Sequence, residues 1–511
     1  MHDQTSSNPA ITQPRDLPAV HVVAEAMGDA ATAPERAAAA RVAIDAARAQ
    51  LLAGPDAMTS VEAIVAGARG ALAAAEPAGL PRVLNGTGIL LHTGLGRARM
   101  AAAAVDAVAV AAAEAVPVEL DMASGARGQR DAAVRERLVA LTGAEAATTV
   151  NNCAAALLLA LAAIARGGRV VVSRGELVEI GGSFRLPEVI EAGGARLHEV
   201  GTTNRTRASD YERAIATAET SSAGTSAGTS AGTSAGTSDE SADGVRAILK
   251  VHPSNFRVEG FTAEASVAEL SAIARARGIP FIHDAGSGRL GEEAMPGLRD
   301  DEPSVVRSVR DGADLVLFSG DKILGGPQAG LIVGRADLVA RIDRHPMKRA
   351  MRCDKLRLAG LLATLDVHAA GPAAAAERLP AWSAAWTTVD ALRERAERMA
   401  TALSGRGPAG TSIRVVACTS HLGGGSAPGT AIPSAGLAVG GHPDVDALAA
   451  ALRSPSSSSA SGSGAASGGA PATPLVARIE RGELVVDLRA IEPAADASLR
   501  AALAAGLDGT G

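Results

Sequence analysis

Between residues 169 and 334, short runs rich in β-branched residues alternate with helical stretches, and this pattern constrains the fold more than any other feature. The runs fall at 169–173, 195–201, 247–252, 280–284, 314–319 and 329–334. Parallel strands cannot be joined by tight turns and need a crossover, usually a helix. The alternation therefore predicts an α/β unit: a mostly parallel central sheet with helices on both faces.

The flanks read differently. Residues 1–80 begin with a polar lead and continue as alanine-rich helical patterns around 37–52 and 60–75, broken at Gly54-Pro55. They predict a small N-terminal helical domain. A long helical pattern runs on from 346, and apolar runs at 413–418, 437–440, 476–479 and 484–488 predict strands of a smaller C-terminal α/β domain. The expected division is thus 1–80, 81–345 and 346–511. Two tracts fall outside it: 220–244, with Ser-Ala-Gly-Thr in tandem, and the Ser/Gly/Ala tract 454–474. Both are too poor in apolar side chains to offset the entropy of ordering, and are expected to be disordered insertions.

Composition removes several function classes. No run approaches the ~20 apolar residues of a membrane span, and residues 1–14 lack the basic start and apolar core of a secretory signal. A cytoplasmic location is expected. Cys153, Cys353 and Cys418 stand far apart with no Cys-x-x-Cys pair, which argues against disulfides and structural zinc. His92, His252 and His283 stand singly, without ligand spacing. A net charge of −6 gives no general attraction to nucleic acid, so RNA contact falls to local basic patches such as 341–357, with seven Lys/Arg against two Asp. One Tyr, two Trp and five Phe leave little for base stacking.

The strongest chemical signal is Leu315-Val-Leu-Phe-Ser-Gly-Asp-Lys-Ile-Leu-Gly-Gly-Pro-Gln-Ala-Gly330, an apolar strand that delivers Lys322 into a glycine-rich turn. Sites of open α/β sheets lie at the carboxyl ends of strands, where a partly desolvated lysine serves as Schiff-base nucleophile and proton shuttle. The run Ile279-Pro-Phe-Ile-His-Asp-Ala-Gly-Ser-Gly288 brings Asp284 to the same sheet end. A carboxylate there can pair with a protonated pyridine nitrogen. Each residue alone has an ordinary reading, as a surface lysine and as a turn aspartate. An Asp strand, a helix and a Ser-x-x-Lys strand in that order point to the fold type I, aminotransferase-like class of pyridoxal 5'-phosphate (PLP) enzymes.

A phosphate needs a cradle, and Val150-Asn-Asn-Cys-Ala-Ala-Ala-Leu157 supplies small residues at the start of an apolar helix. Asn151, Asn152, Cys153 and Ala154 are the cofactor-binding candidates, with Ser319 as a hydroxyl donor. Cys153 read as a nucleophile has no identifiable His partner. Ser319-x-x-Lys322 also matches the serine β-lactamase pattern, but no Ser-Asp-Asn or Lys-Thr-Gly follows in suitable order.

Ordered blocks along nearly the whole chain resemble the bacterial selenocysteine synthase family, L-seryl-tRNA(Sec) selenium transferase. They are Val83-Leu-Asn-Gly-Thr-Gly-Ile-Leu-Leu-His-Thr-Gly-Leu-Gly-Arg97, Arg174-Gly-Glu-Leu-Val-Glu-Ile-Gly-Gly-Ser-Phe-Arg185, Glu199-Val-Gly-Thr-Thr-Asn-Arg205, Lys250-Val-His-Pro-Ser-Asn-Phe256 and His345-Pro-Met-Lys-Arg-Ala-Met-Arg352, besides the Asp-Ala-Gly-Ser-Gly turn. The resemblance implies PLP in Schiff-base linkage to Lys322 and conversion of seryl-tRNA(Sec) to selenocysteinyl-tRNA(Sec) with selenophosphate, through an aminoacrylyl-tRNA. It also implies a selenophosphate site built from Arg97, Arg349 and Arg352, an N-terminal domain that docks tRNA, and a homo-oligomer, usually a decamer built as a pentamer of dimers. Arg349 and Arg352 stand three apart on a predicted helix and share a face able to clamp a tetrahedral anion; from spacing alone a solvated basic face is the favoured reading. Residues 1–80 hold five Arg and nine acidic residues, so docking there would rest on arginines such as Arg36, Arg41 and Arg48. Two other functions share much of this signature: a PLP lyase acting on a small amino acid or amino sugar acid, and a catalytically idle RNA-binding or scaffolding relative.

Overall fold

The computed structural model describes residues 10–28, 32–54, 57–74, 80–181, 184–225, 244–455 and 472–509. Three helices form the N-terminal unit: α1 (Val20–Ala26), α2 (Ala33–Leu52) and α3 (Val61–Ala74). The sequence pattern predicts the last two; α1 emerges from the stretch read as a polar lead because Val23 and Met27 bury against α2 and α3. At the head of α2, Glu35 accepts from the Thr32 N–H at 2.8 Å, satisfying a donor the helix cannot. The core of this unit is small, with Ala40, Ala47 and Ala68 letting the helices approach closely around Ile44, Leu51 and Ile64. Arg41 and Arg48 are exposed while Arg36 is half-buried, and Arg48 pairs with Asp45.

The chain leaves this unit through strand β1 (Leu84–Gly86) and helices α4 (Ala102–Ala113) and α5 (Ala132–Thr142), then builds the large sheet. Its strands are β2 (Ala146–Val150), β3 (Arg169–Ser173), β6 (Arg196–Val200), β7 (Val245–Val251), β8 (Phe281–Gly286), β9 (Leu315–Ser319) and β10 (Gly330–Gly334); β4 (Glu179–Ile180) and β5 (Phe184–Arg185) form a separate two-stranded ribbon. The order is β2-β10-β9-β8-β7-β3-β6, with β10 antiparallel to both neighbours and the other pairings parallel. Six of the seven strands fall where apolar runs predict them.

Both faces of the sheet are covered. Val171, Ile248, Phe281, Val316 and Phe318 enter one core; Val170, Val172, Leu249, Ile282, Leu315 and Leu317 enter the other. This period-two sorting explains why β9 and β10 are apolar without alternation. Burying each such side chain contributes roughly 1.5–3 kcal/mol.

The small sheet has the order β1-β13-β14-β12-β11, with β11 (Ser412–Ser420), β12 (Ile432–Gly440), β13 (Leu475–Glu480) and β14 (Glu483–Asp487). Two expected boundaries shift. Strand β1, placed by sequence in the large domain, pairs in parallel with β13, Leu84 opposite Leu475. The helix Lys355–Ala369, placed in the small domain, packs Leu358, Leu361 and Leu365 into the core beneath β9. The apolar face of a helix shows what it needs to bury but not which core receives it. Of the two expected insertions, 220–225 continues the helix Ala208–Thr225, and 226–243 and 456–471 lie outside the described residues.

Candidate active site

The carboxyl ends of β2, β8 and β9 meet at one edge of the large sheet. Asp284 lies opposite Leu317 near the end of β8, where the register shifts between Asp284 and Gly286. Beyond β9 the chain turns sharply. Gly320 and Ala329 close the turn with a 2.9 Å backbone bond, the Ile323 N–H donates to the Ser287 carbonyl at 3.0 Å, and a Cβ at Gly288 would lie 2.3 Å from the Ser319 carbonyl. These contacts hold Lys322, 7% exposed, within the influence of Asp284.

Burial pushes the Asp284 carboxyl up to about 6, against the opposing pull of Lys322 and of the Gly286 N–H at 3.1 Å. A carboxylate so short of counter-charge suits a cationic ring nitrogen. The Cys153 thiol donates to the same carboxylate at 3.7 Å. Burial and Asp284 together drive its ionisation well above the usual thiol range, which removes Cys153 as a nucleophile.

The expected phosphate cradle lies at the same edge. Helix α6 (Cys153–Ile164) is capped by Asn152, whose side chain accepts from the Ala155 N–H at 2.8 Å. The Cys153 and Ala154 N–H groups, in its first turn, have no intrahelical acceptor. Asn151 Oδ1 is buried without a hydrogen-bond partner, and Gly330 is obligatory because a Cβ there would lie 2.0 Å from the Asn152 carbonyl. Orphaned amides and a buried amide side chain, within one strand-end of Lys322 and Asp284, fit a PLP phosphate and ring. Ser319, 3% exposed at the end of β9, lies at the same strand edge.

Sequence reasoning missed three contributors. His252 follows β7, donates its backbone N–H to the Asp284 carbonyl at 2.9 Å, and sets Nε2 3.5 Å from Glu302. Burial, with Lys322 nearby, pushes its imidazole down to about 4, so it is neutral. Asp321 accepts from Arg97 at 2.8 Å, immediately before the lysine. The third comes from the small domain: Gly425, in a turn where Gly423, Gly424, Gly425 and Ala427 all have positive φ, accepts a 3.3 Å hydrogen bond from Lys322 Nζ through its carbonyl. This turn lies against the segment before Arg97, with Leu91 N–H bonded to the Leu422 carbonyl at 2.8 Å and a Cβ at Gly424 only 2.4 Å from the Leu91 carbonyl. A run of three glycines was the available sequence signal for a close backbone approach.

The arginines expected to form one anion site are not brought together within a chain. Arg97, in a left-handed conformation with φ 62°, borders a cavity of about 500 Å³ with Arg82 and Arg99. Arg349 and Arg352 border another, of about 530 Å³, with Arg127, Arg130 and Glu119. Arg97 is fixed beside Lys322 by Asp321, whereas the helix Pro346–Met351 is tied to the cradle, its Met351 carbonyl accepting from Asn151 N–H at 2.8 Å. Arg352 also pairs with Glu119 at 3.4 Å. Among the described residues, no three potential metal ligands cluster, and no helix is long and apolar enough to cross a membrane.

A seven-stranded sheet with one antiparallel strand, a lysine and an aspartate at adjacent strand ends, and a capped helix beside them define the fold type I, aminotransferase-like class of α/β enzymes. D-Glucosaminate-6-phosphate ammonia-lyase shares the fold, with a TM-score of 0.53 and 22% identity over 84% of this chain and 97% of that one. Within that class, the chain belongs to the L-seryl-tRNA selenium transferase family, whose sequence profile matches residues 83–223 and 222–492. It is 45% identical to the L-seryl-tRNA(Sec) selenium transferase of Rhizobium meliloti over 81% of this chain and 80% of that one. Identity to the Methylocella silvestris protein of the same name is 41% over 93% and 94%.

Proposed function

We propose that the protein converts L-seryl-tRNA(Sec) to L-selenocysteinyl-tRNA(Sec), with selenophosphate as selenium donor and PLP on Lys322. The observation that carries the reading is the buried Lys322 and Asp284 at adjacent strand ends, in a chain of this family. When bound, PLP supplies an electron sink for charge that develops at the substrate α-carbon.

The protein's residues do the rest. Asp284 would pair with the cofactor's ring nitrogen and keep its proton in place. Asn151 with the Cys153 and Ala154 N–H groups would hold the phosphate. Lys322 Nζ, aimed by the Gly425 carbonyl, would hold the cofactor covalently, and its free amine would take the proton from the serine α-carbon. His252, held neutral, lines the site without adding a second cation beside Lys322. An aminoacyl ester has no carboxylate, so no arginine is required to grip one, which leaves the arginines for selenophosphate.

Arg349 and Arg352 supply the anion site, together with Arg127 and Arg130. Their separation from Arg97 in one chain favours a homo-oligomer in which the arginines of one copy face Lys322 of another, and the decamer of the family resemblance is the proposed form. Exposed Leu120 and Met122 beside the Arg349–Arg352 surface supply apolar area for such a contact. The N-terminal helices are the proposed tRNA-docking unit, and the cytoplasm the proposed location.

The test is single-turnover conversion of seryl-tRNA(Sec) with selenophosphate by the wild type and Lys322→Ala, with the near-visible cofactor absorbance recorded for each. Product and absorbance in the wild type alone support the reading. Absorbance without tRNA conversion turns it toward a small-molecule lyase, and no absorbance at all refutes it.

A further inference from the structure

Ser254 is 4% exposed, and its Oγ is buried with no hydrogen-bond partner. Leaving a hydroxyl dry and unpaired is costly, so a buried orphan at a reacting centre marks a place where a ligand completes the bond. The direction it faces is fixed by the small domain. The position a Cβ would occupy on Gly425 lies 3.2 Å from Lys322 Nζ and 3.5 Å from Ser254 Oγ. Lys322 and Ser254 therefore look onto one small space, kept open because residue 425 has no side chain. His252 Nδ1, Ser287 Oγ and Ser426 Oγ are likewise buried without a hydrogen-bond partner, but among them Ser254 Oγ is the one that shares the space at Gly425 with Lys322 Nζ, while Asn255 Nδ2 donates to the Glu179 carbonyl at 2.6 Å and Cys153 to Asp284.

We infer that this space is the subsite for the seryl side chain, with Ser254 Oγ donating a hydrogen bond to the β-hydroxyl that the reaction expels. The inference rests on the function proposed above. In that reaction the Cα–H bond breaks, its electron pair forms the Cα–Cβ double bond, and the Cβ–O bond breaks. The oxygen leaves with its own hydrogen and with the proton that Lys322 Nζ took from Cα, so that one water is lost. Hydroxide is a poor leaving group. A donor fixed on the departing oxygen stabilises charge there while the bond lengthens, and Ser254 itself ends unchanged.

The experiment compares the full-length holoenzyme with Ser254→Ala and Ser254→Thr on two substrates carried by the same tRNA, seryl and β-chloroalanyl esters. Chloride departs without a proton. The alanine variant is expected to lose about 100- to 1000-fold in the single-turnover rate with the seryl ester and no more than about 3-fold with the chloroalanyl ester. Threonine is expected to recover most of the loss, and cofactor affinity and absorbance are expected to stay unchanged in both. An equal loss on the two esters, or weakened cofactor binding, overturns the inference and moves Ser254 to a structural or cofactor role. Failure of the underlying function shows separately, as a wild type that lacks cofactor absorbance or does not turn over the seryl ester.

Discussion

Replacing Gly425 by alanine separates backbone strain from occupation of the site. Gly425 has φ +77° and Gly429 has φ +75°, so an alanine at either position bears a similar left-handed penalty, about 1–2 kcal/mol. Their surroundings differ. Nothing lies within 4 Å of a Cβ at 429, while a Cβ at 425 meets Lys322 Nζ at 3.2 Å and Ser254 Oγ at 3.5 Å. The lysine tip can yield by a few tenths of an ångström, so folding of Gly425→Ala should suffer little beyond the shared penalty. Urea unfolding should give the two variants the same loss, about 1–2 kcal/mol. Turnover should divide them. The methyl group at 425 fills the space between Lys322 and Ser254, and kcat/KM for seryl-tRNA should fall roughly 100-fold, or about 2.7 kcal/mol at 1.36 kcal/mol per tenfold. Gly429→Ala should stay within a factor of about two. Equal activity in the two variants, or an equal loss, would refute the assignment of that space to the reaction.

Two further outcomes are expected. His252 titrates from 6.5 down to about 4 on folding because burial disfavours its charge, so the unfolded chain binds more protons between those values. Stability is therefore lost as pH falls from 6.5 toward 4, by on the order of 3 kcal/mol for this residue. The buried Asp284 of the cofactor-free protein, raised to about 6, acts in the opposite sense over part of that window; the urea midpoint of the wild type should fall relative to that of His252→Gln as pH drops from 6.5 to 4, and parallel curves would contradict the assignment. Lys250 lies buried 3.1 Å from the equally buried Glu176. Lys250→Met should cost about 3–5 kcal/mol by stranding that carboxylate, and Glu176→Gln in the same chain should recover much of the loss in chemical denaturation.

The large sheet was legible because burial on both faces demands continuous apolar strands, as in Leu315–Ser319. The placement of Lys322 and Asp284 at one sheet edge was legible because Lys322 follows the end of such a strand by three residues and Asp284 lies near the end of another. Strand β2, Ala-Ala-Thr-Thr-Val, has no apolar run to announce it; its place is set by pairing with β10. Strand β1 is three residues long and exists because β13 offers it an edge. Gly425 reaches Lys322 across 103 positions, and Arg97 reaches Asp321 across 224. Such contacts are decided by how two domains dock, and no local periodicity encodes them. How the arginines expected of the anion site meet is not legible for the same reason: spacing puts Arg349 and Arg352 on one face but cannot say what faces them.

The pairing of β1 with β13 has a consequence for biosynthesis. Thr87 and Arg478, joined where these strands meet, are separated by 391 positions. At ribosomal rates of about 5–20 residues per second, the first strand emerges on the order of 20–80 s before its partner exists. Through that interval the helical unit and the large sheet can fold while Leu84 has no edge to join. The C-terminal sheet is thus completed by a segment made near the start, and a ribosome that stalls late leaves a chain with its lysine strand built and the carbonyl of Gly425 not yet in place.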